Sequence, residues 1–128
     1  TYRCTSVKCG CKEGECGACS VILDGKLINS CCVAMGAISG STVVTMEGYR
    51  ETERFKVLDK AFAEVSAVQC GFCTPGMVLA AESILSANQH PSEEEIRVGI
   101  SGNLCRCTGY NAIVNAVKNA AEEGEGLW

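Results

Sequence analysis

The chain has 128 residues, 11 of them cysteine, and its 11 basic and 15 acidic side chains give a net charge of −4. This length suits one ordinary domain or two very small ones. A net acidic chain lacks the basic face that a nucleic-acid-binding protein needs, and no apolar run approaches the roughly 20 residues that span a bilayer. The cysteine content is therefore the feature that any proposed function must explain first.

The first part of the chain predicts a small β-rich domain, residues 1–48. In residues 21–31, VILDGKLINSC, two β-prone runs flank a favoured two-residue turn, Asp24-Gly25, and predict a hairpin. Residues 41–48, STVVTMEG, predict another short strand. The polar and charged stretch at residues 49–56, YRETERFK, predicts a linker.

The remaining residues, 57–128, predict a second domain made of helices. Apolar side chains between residues 58 and 68 recur at helical spacing and form one face. Three further helix starts are indicated by capping residues, namely Thr74 with Pro75, Ser92 with Glu95, and Thr108. A cysteine pair lies between the helices of each half, so this domain is expected to consist of two helical hairpins related by a pseudo-two-fold axis.

The first cysteine set has the spacing C-x4-C-x2-C followed by a distant cysteine, which is the plant-type [2Fe–2S] pattern. Interleaved glycines suit a backbone that wraps closely around a cluster and donates N–H groups to its sulfurs. A zinc knuckle is the alternative, although zinc sites usually present C-x2-C pairs. The members of this set are Cys11, Cys16, Cys19 and Cys31.

The second cysteine set combines C-x2-C with C-x-C, and four thiolates in two pairs also suit structural zinc. Because the first set has an iron–sulfur pattern, iron is favoured over zinc at the second set as well. Because its sulfurs are expected near helix N-termini, the pKa of all four thiols is expected to be lowered. The members of this set are Cys70, Cys73, Cys105 and Cys107.

Three cysteines remain outside the two sets and are expected to be incidental: Cys4, Cys9 and Cys32. An odd total of cysteines and two very closely spaced pairs disfavour a pure disulfide framework. His90 is expected to be a loop residue, and Met77 and Phe72 beside the second set are expected either to belong to the core or to form an apolar docking face.

Five stretches of the chain closely resemble the two-cluster iron–sulfur subunit of the molybdenum hydroxylases, the xanthine dehydrogenase and aldehyde oxidoreductase family. They run from about residue 5 to about residue 117 and read SVKCGCKEGECGACSVILDGKLINSC, VTMEG, AVQCGFCTPGM, PSEEEIR and SGNLCRCTGYNAIVNAV. The resemblance implies an α+β chain, with a ferredoxin-like β-grasp domain followed by a four-helix domain. Each domain is then expected to bind one [2Fe–2S] cluster through its own four cysteines.

The resemblance also implies the partners. It implies that two clusters on this chain carry electrons from a molybdopterin site on a large subunit to FAD, usually in another subunit or domain, or to another acceptor. The positions matching Gln69 and Cys107 approach the pterin in that family, and no catalytic residue is expected on this chain. A cytoplasmic location is expected. The family's leading β-hairpin and helix are absent ahead of the first cysteine loop, so the N-terminal part is expected to be incomplete and export stays open.

Two alternatives to this electron-transfer subunit remain. A free-standing ferredoxin-like carrier would bind the same clusters but would have a polar surface around Phe72 and Met77. A zinc-stabilised interaction module would contain no acid-labile sulfide.

Overall fold

A computed structural model describes residues 3–128, which form a three-stranded sheet and five α-helices. The strands are β1 (Ser20–Leu23), β2 (Lys26–Asn29) and β3 (Val43–Val44), and the helices are α1 (Met46–Tyr49), α2 (Glu53–Glu64), α3 (Thr74–Ala87), α4 (Glu93–Gly99) and α5 (Asn111–Glu123). Short 3-10 turns at Ser30–Cys32 and Met35–Ile38 connect β2 to β3. None of the helices in the described residues combines the length and apolarity that a membrane span requires.

The hairpin predicted over residues 21–31 is confirmed. Strands β1 and β2 pair antiparallel, and β1 also pairs with β3, so β1 is the central strand. The turn residues Asp24 and Gly25 have φ angles of 47° and 81°, the left-handed values that the tightest hairpin turns require. The Asp24 carboxylate accepts a hydrogen bond of 2.8 Å from the Thr42 N–H, which fastens the turn to the segment leading into β3.

The strand predicted over residues 41–48 is wrong in its second half. Only Val43–Val44 pairs with the sheet, and the chain turns into α1 at Met46. Residues 49–56, expected as a polar linker, begin with the buried side chain of Tyr49 and end inside α2. Tyr49 lies among polar residues in the sequence, yet its ring packs edge-on against Phe55 and its hydroxyl donates a hydrogen bond to the buried Glu82 carboxylate.

Of the four predicted helix starts, one is confirmed and three are shifted along the chain. Ser92 and Glu95 form the expected capping box at α4. Helix α3 already includes Thr74, so the residue before it occupies the capping position. Thr108 does not cap α5, because the chain takes a left-handed turn at Tyr110 (φ 71°) before the helix begins. Helix α2 begins five residues before the predicted apolar face, where Thr52 caps it.

The core lies between the sheet and the four longer helices. Helix α2 packs along α5, while α3 contacts α4 and the central strand β1. Burial of each large apolar side chain contributes about 1.5–3 kcal/mol to stability. The largest fully buried side chains are Leu58, Met77, Leu79, Leu85, Ile96, Ile113, Val114 and Val117.

A buried carboxylate, Glu82 of α3, joins distant parts of the chain. Its side chain accepts hydrogen bonds from the Tyr49 hydroxyl at 2.5 Å, from the Trp128 indole N–H at 2.7 Å and from the Ser86 hydroxyl at 2.8 Å. Arg54 of α2 completes the set with an ion pair of 2.9 Å. Burial and the Glu82 carboxylate together raise the pKa of Tyr49, so its hydroxyl remains a donor.

Glu47 in α1 holds the segment that precedes the first cysteine loop, and this contact is expected to depend on pH. Its carboxylate accepts hydrogen bonds from the Ser6 hydroxyl at 2.6 Å, from the Ser6 N–H at 2.8 Å and from the Thr45 hydroxyl at 2.7 Å. These bonds, led by the Ser6 hydroxyl, lower the pKa of Glu47 from 4.5 to about 2.

A depressed pKa stabilises the folded chain fully above the ordinary value, and this stabilisation is lost as the pH falls towards the folded value. We therefore expect the wild-type chain to lose more stability than Glu47→Gln between about pH 5 and about pH 3, because only the wild type must protonate this carboxyl on unfolding. Denaturant unfolding of both proteins at the two pH values measures the difference. Equal losses would contradict this role of Glu47.

Candidate metal centres

The first cysteine set lies in the loop before β1 and just after β2. Two of its thiols, Cys11 and Cys16, share a hydrogen bond. The other two, Cys19 and Cys31, share another, and the Cys31 N–H also donates to the Cys19 sulfur at 3.4 Å. The hairpin brings Cys31 close to Cys19, because the end of β2 pairs with the start of β1. The set therefore gathers as two pairs.

Close backbone approach shapes this loop. A Cβ atom at Gly10 would lie 2.6 Å from the Cys16 sulfur, and one at Gly14 would lie 2.9 Å from the Cys32 sulfur. Gly14 also has a φ of 80°, which favours glycine. The loop thus has no room for side chains at these positions, as expected of a backbone that wraps around sulfur.

The second cysteine set lies between α2 and α3 and between α4 and α5. The Cys107 thiol donates a hydrogen bond to the Cys70 sulfur, with 3.6 Å between the two sulfurs, and both residues are exposed. The Cys73 thiol pairs with Cys105, and both are half-buried. This set also divides into two pairs, one facing outward and one facing the interior.

The residues after Cys105 shape its surroundings in a way the sequence did not reveal. The Thr108 hydroxyl donates to the Cys105 sulfur at 3.1 Å and accepts from the Tyr110 N–H at 3.2 Å. The Tyr110 hydroxyl in turn accepts from the Cys105 N–H at 2.9 Å. A Thr before a helical pattern is typical of a helix cap, but here the same hydroxyl binds the thiol.

The pKa values of the thiols differ within the pairs. Backbone N–H groups of Glu13 and Glu15 donate to the Cys11 sulfur at 3.4 Å and lower its pKa to about 6. A hydrogen bond to Cys19 raises the pKa of Cys31 to about 12, since the Cys31 thiol is the donor. Cys11 thus favours the thiolate form that binds metal, whereas the Cys31 thiol keeps its proton as a hydrogen-bond donor.

The expectation of a lowered pKa at all four thiols of the second set is half right. The Phe72 N–H lowers the pKa of Cys70. Burial opposes ionisation of Cys105, but the Thr108 hydroxyl and N–H outweigh it and lower the pKa to about 7. Burial, followed by the neighbouring thiol, raises the pKa of Cys73 to about 12, and the bond to Cys70 raises that of Cys107. Burial and the hydrogen bonds at each thiol therefore decide which member of a pair has the lower pKa.

The arrangement of thiols fits a binuclear cluster. Each iron of a [2Fe–2S] cluster takes two of the four protein ligands, and both cysteine sets present their sulfurs two by two. Among residues 3–128, no group of three or more His, Cys, Asp or Glu side chains is arranged to hold one metal ion. N–H groups directed at sulfur and the glycine-lined loop meet the other needs of an iron–sulfur site.

The two cysteine sets border the same cavity of about 410 Å³. Its wall includes Cys11 and Cys16 from the first set, all four cysteines of the second set, and Phe72 and Leu104. The Leu104 N–H also donates a backbone hydrogen bond of 3.0 Å to the Cys16 carbonyl. Leu104 precedes Cys105 directly, so one hydrogen bond joins the two sets.

Other residues singled out in the sequence are placed as follows. Phe72 is 52% exposed, whereas Met77 is fully buried and belongs to the core. Gln69 is exposed, next to Cys70 at the outward-facing pair. Cys32 lies outside the first set, although its sulfur is 3.8 Å from that of Cys31. Leu104, 55% exposed on the same cavity wall as Phe72, was not identified from the sequence, because an isolated Leu carries no pattern.

Comparison with known proteins agrees with this site. Residues 45–118 match the family described as "[2Fe-2S] binding domain". The chain is 52% identical over 118 residues to the nicotinate dehydrogenase small FeS subunit of Eubacterium barkeri, covering 92% of this chain and 75% of that protein. It is 46% identical over 117 residues to the xanthine dehydrogenase iron-sulfur-binding subunit of Escherichia coli O157:H7, covering 88% and 72%.

Solved structures of related oxidoreductases have the same fold as this chain. The aldehyde oxidoreductase of Desulfovibrio gigas superposes with a TM-score of 0.87 at 42% identity, over 98% of this chain and 14% of that longer chain. Quinoline 2-oxidoreductase of Pseudomonas putida 86 superposes with a TM-score of 0.85 at 42% identity, over 92% of this chain and 74% of that one. This chain therefore belongs to the [2Fe-2S]-binding small subunits of the molybdenum hydroxylases, the oxidoreductase family of xanthine dehydrogenase and aldehyde oxidoreductase.

Proposed function

We propose that the chain carries electrons through two [2Fe–2S] clusters, from a molybdopterin site on a large subunit to FAD or another acceptor. The observation that carries this proposal is that two paired cysteine quartets meet at one cavity, which one pair of the first set and all of the second set border. We assign Cys11, Cys16, Cys19 and Cys31 as ligands of one cluster and Cys70, Cys73, Cys105 and Cys107 as ligands of the other. When bound, each cluster supplies one-electron redox chemistry.

The exposure of the pairs gives the route a direction. Cys70 and Cys107 face outward, so this pair is the entry side. Cys73 and Cys105 face the interior, and the hydrogen bond from Leu104 to Cys16 leads from there to the first set. Cys31 is exposed and belongs to the pair of the first set that does not line the shared cavity, so we assign it as the exit.

The surface around the entry pair supports a docked partner rather than a free-standing carrier. A free carrier was expected to be polar here, but Phe72 and Leu104 are 52% and 55% exposed on the wall of the shared cavity. Exposed apolar side chains that line one surface cavity are typical of an interaction site. We propose that the large molybdopterin-binding subunit covers them, with Gln69 and Cys107 facing the pterin.

The division into domains follows the same proposal. We propose a ferredoxin-like β-grasp domain at residues 1–48 and a helical domain at residues 57–128, and the segment between them contains the first turn of α2. The order helix, cysteine pair, helix occurs twice in the second domain, at α2–α3 and at α4–α5, which supports the pseudo-two-fold symmetry. Eight closely spaced thiol ligands suit a reducing compartment, so we propose a cytoplasmic complex with an FAD-binding subunit as the electron acceptor.

Metal and sulfide content of the native protein tests this function. We expect about four irons and about four acid-labile sulfides per chain, and two distinct electron paramagnetic resonance (EPR) signals after dithionite reduction. Co-purification should recover a molybdopterin-containing subunit. Zinc without sulfide and without an EPR signal would instead establish a structural module and overturn the proposal.

Adjacent cysteines offer a sharp test of the ligand assignment. Cys31→Ser is expected to lose the iron and the EPR signal of the first centre, because its sulfur pairs with Cys19. Cys32→Ser is the matched control and should keep both centres, since Cys32 lies outside the pair. If Cys32→Ser lost iron and Cys31→Ser did not, Cys32 would be the ligand and the assignment of Cys31 would be wrong.

A further inference from the structure

One buried amide links the two cysteine sets. Asn103 is only 3% exposed, although asparagine is usually a surface residue. Its side-chain N–H group donates to the Gly17 carbonyl at 3.3 Å and to the Ser20 hydroxyl at 3.1 Å. Asn103 lies two residues before Cys105, so a side chain of the second set's loop is held by the first set's loop.

The backbone around this amide is closely packed. A Cβ atom at Gly17 would collide with the Asn103 amide and lie 2.6 Å from the Gly102 carbonyl oxygen. A Cβ atom at Gly76, in the first turn of α3, would lie 2.5 Å from the Gly17 carbonyl oxygen and 2.8 Å from the Asn103 nitrogen. Gly17 follows Cys16 directly. The contact therefore lies within one or two residues of cysteines from both sets.

The hydrogen bonds leave little freedom for either loop to slide past the other. The Ser20 hydroxyl donates to the same Gly17 carbonyl at 2.7 Å, so its remaining acceptor capacity faces Asn103. The Leu104 N–H, one residue further, bonds to the Cys16 carbonyl. The Asn103 side chain and the Leu104 N–H thus hold the carbonyls of Gly17 and Cys16 in the opposite loop.

We propose that Asn103 is a positioning residue that sets the separation and orientation of the two iron–sulfur centres. This inference rests on the proposed function and deepens it. The side chain of Asn103 acts through its hydrogen bonds to Gly17 and Ser20. Removing its amide should shift one loop against the other while each set of four cysteines stays complete.

Asn103→Ala tests this role in the full chain, purified with the subunits that it binds. The substitution should be tolerated, because Gly17 and Ser20 keep their own hydrogen bond after the amide is removed. Asn115→Ala, an exposed asparagine of α5, is the matched control. Ser20→Ala is a second variant that removes one of the two acceptors and does not alter Asn103. Each protein is reduced, and iron content, EPR g values and the magnetic interaction between the centres are measured.

We expect Asn103→Ala to keep its full iron content and both signals at unchanged g values. The splitting and relaxation enhancement between the centres should fall, whereas Asn115→Ala should match the wild type. Ser20→Ala should show a smaller change in the same direction. An unchanged interaction in Asn103→Ala, or the loss of one whole centre, would overturn the positioning role while the proposed function stands. Absence of iron–sulfur signals in the wild type would instead overturn the proposed function itself.

Discussion

Replacing Cys107 by Ser will remove about half of the iron, because the second centre loses one of its four ligands while the first keeps all of its own. Cys107 pairs with Cys70 at 3.6 Å between the sulfurs on the exposed side. Since this pair is the proposed entry point for electrons, reduction of the first centre by substrate should also stop. Iron content, EPR and the rate of flavin or dye reduction by substrate measure these effects.

Cys9→Ser is the matched control for this experiment. Cys9 is exposed and lies outside both cysteine sets, so its loss should leave the iron content and both EPR signals unchanged. A Cys107 variant that kept four irons and normal transfer to an acceptor placed after this chain would refute the ligand assignment. Loss of the first signal in place of the second would refute the grouping of the eight cysteines.

Glu82→Ala is expected to be the most destabilising change outside the metal sites, at about 3 kcal/mol. The side chain is 6% exposed and accepts from Tyr49, Ser86 and Trp128 in addition to its ion pair with Arg54. Its removal leaves a buried hydroxyl and an indole N–H without their acceptor. The Arg54 side chain is 39% exposed and can regain water, which limits the loss.

Thermal unfolding of the assembled protein measures this effect, with an expected fall in Tm of about 10 °C. Glu122→Ala removes an exposed carboxylate from α5 and serves as the control, with a change within about 0.5 kcal/mol. A Glu82 variant as stable as the control would show that the network contributes no net stability. Both variants should retain their iron at low temperature, because Glu82 contacts no cysteine of either set.

Spacing along the chain was sufficient to predict both cysteine sets, because each contains cysteines at short intervals: C-x4-C-x2-C in the first set, and C-x2-C with C-x-C in the second. The Asp24-Gly25 turn and the capping box of Ser92 and Glu95 were predictable for the same reason, since each depends on neighbours within a few residues. Family membership followed from these local patterns and was confirmed by comparison.

Features that depend on distant residues could not be predicted in this way. Tyr49 was placed in a polar linker because nothing near it in sequence shows the buried Glu82, 33 residues away, to which its hydroxyl donates. Thr108 was interpreted as a helix cap, although its hydroxyl contacts the thiol of Cys105. The hydroxyl group of each residue could form hydrogen bonds with several different partners, and only the tertiary packing decides which partner it meets.

The sequence by itself was enough to predict which cysteines form each set and the class of cofactor that they fit. Only the tertiary structure decided which thiols pair within a set, which pair faces outward, and how the two sets meet. That meeting depends on Asn103 and Leu104 contacting a loop 83 to 88 positions away along the chain, through Gly17, Ser20 and Cys16. Such contacts form because the helical core presents one loop to the other, and no local pattern encodes them.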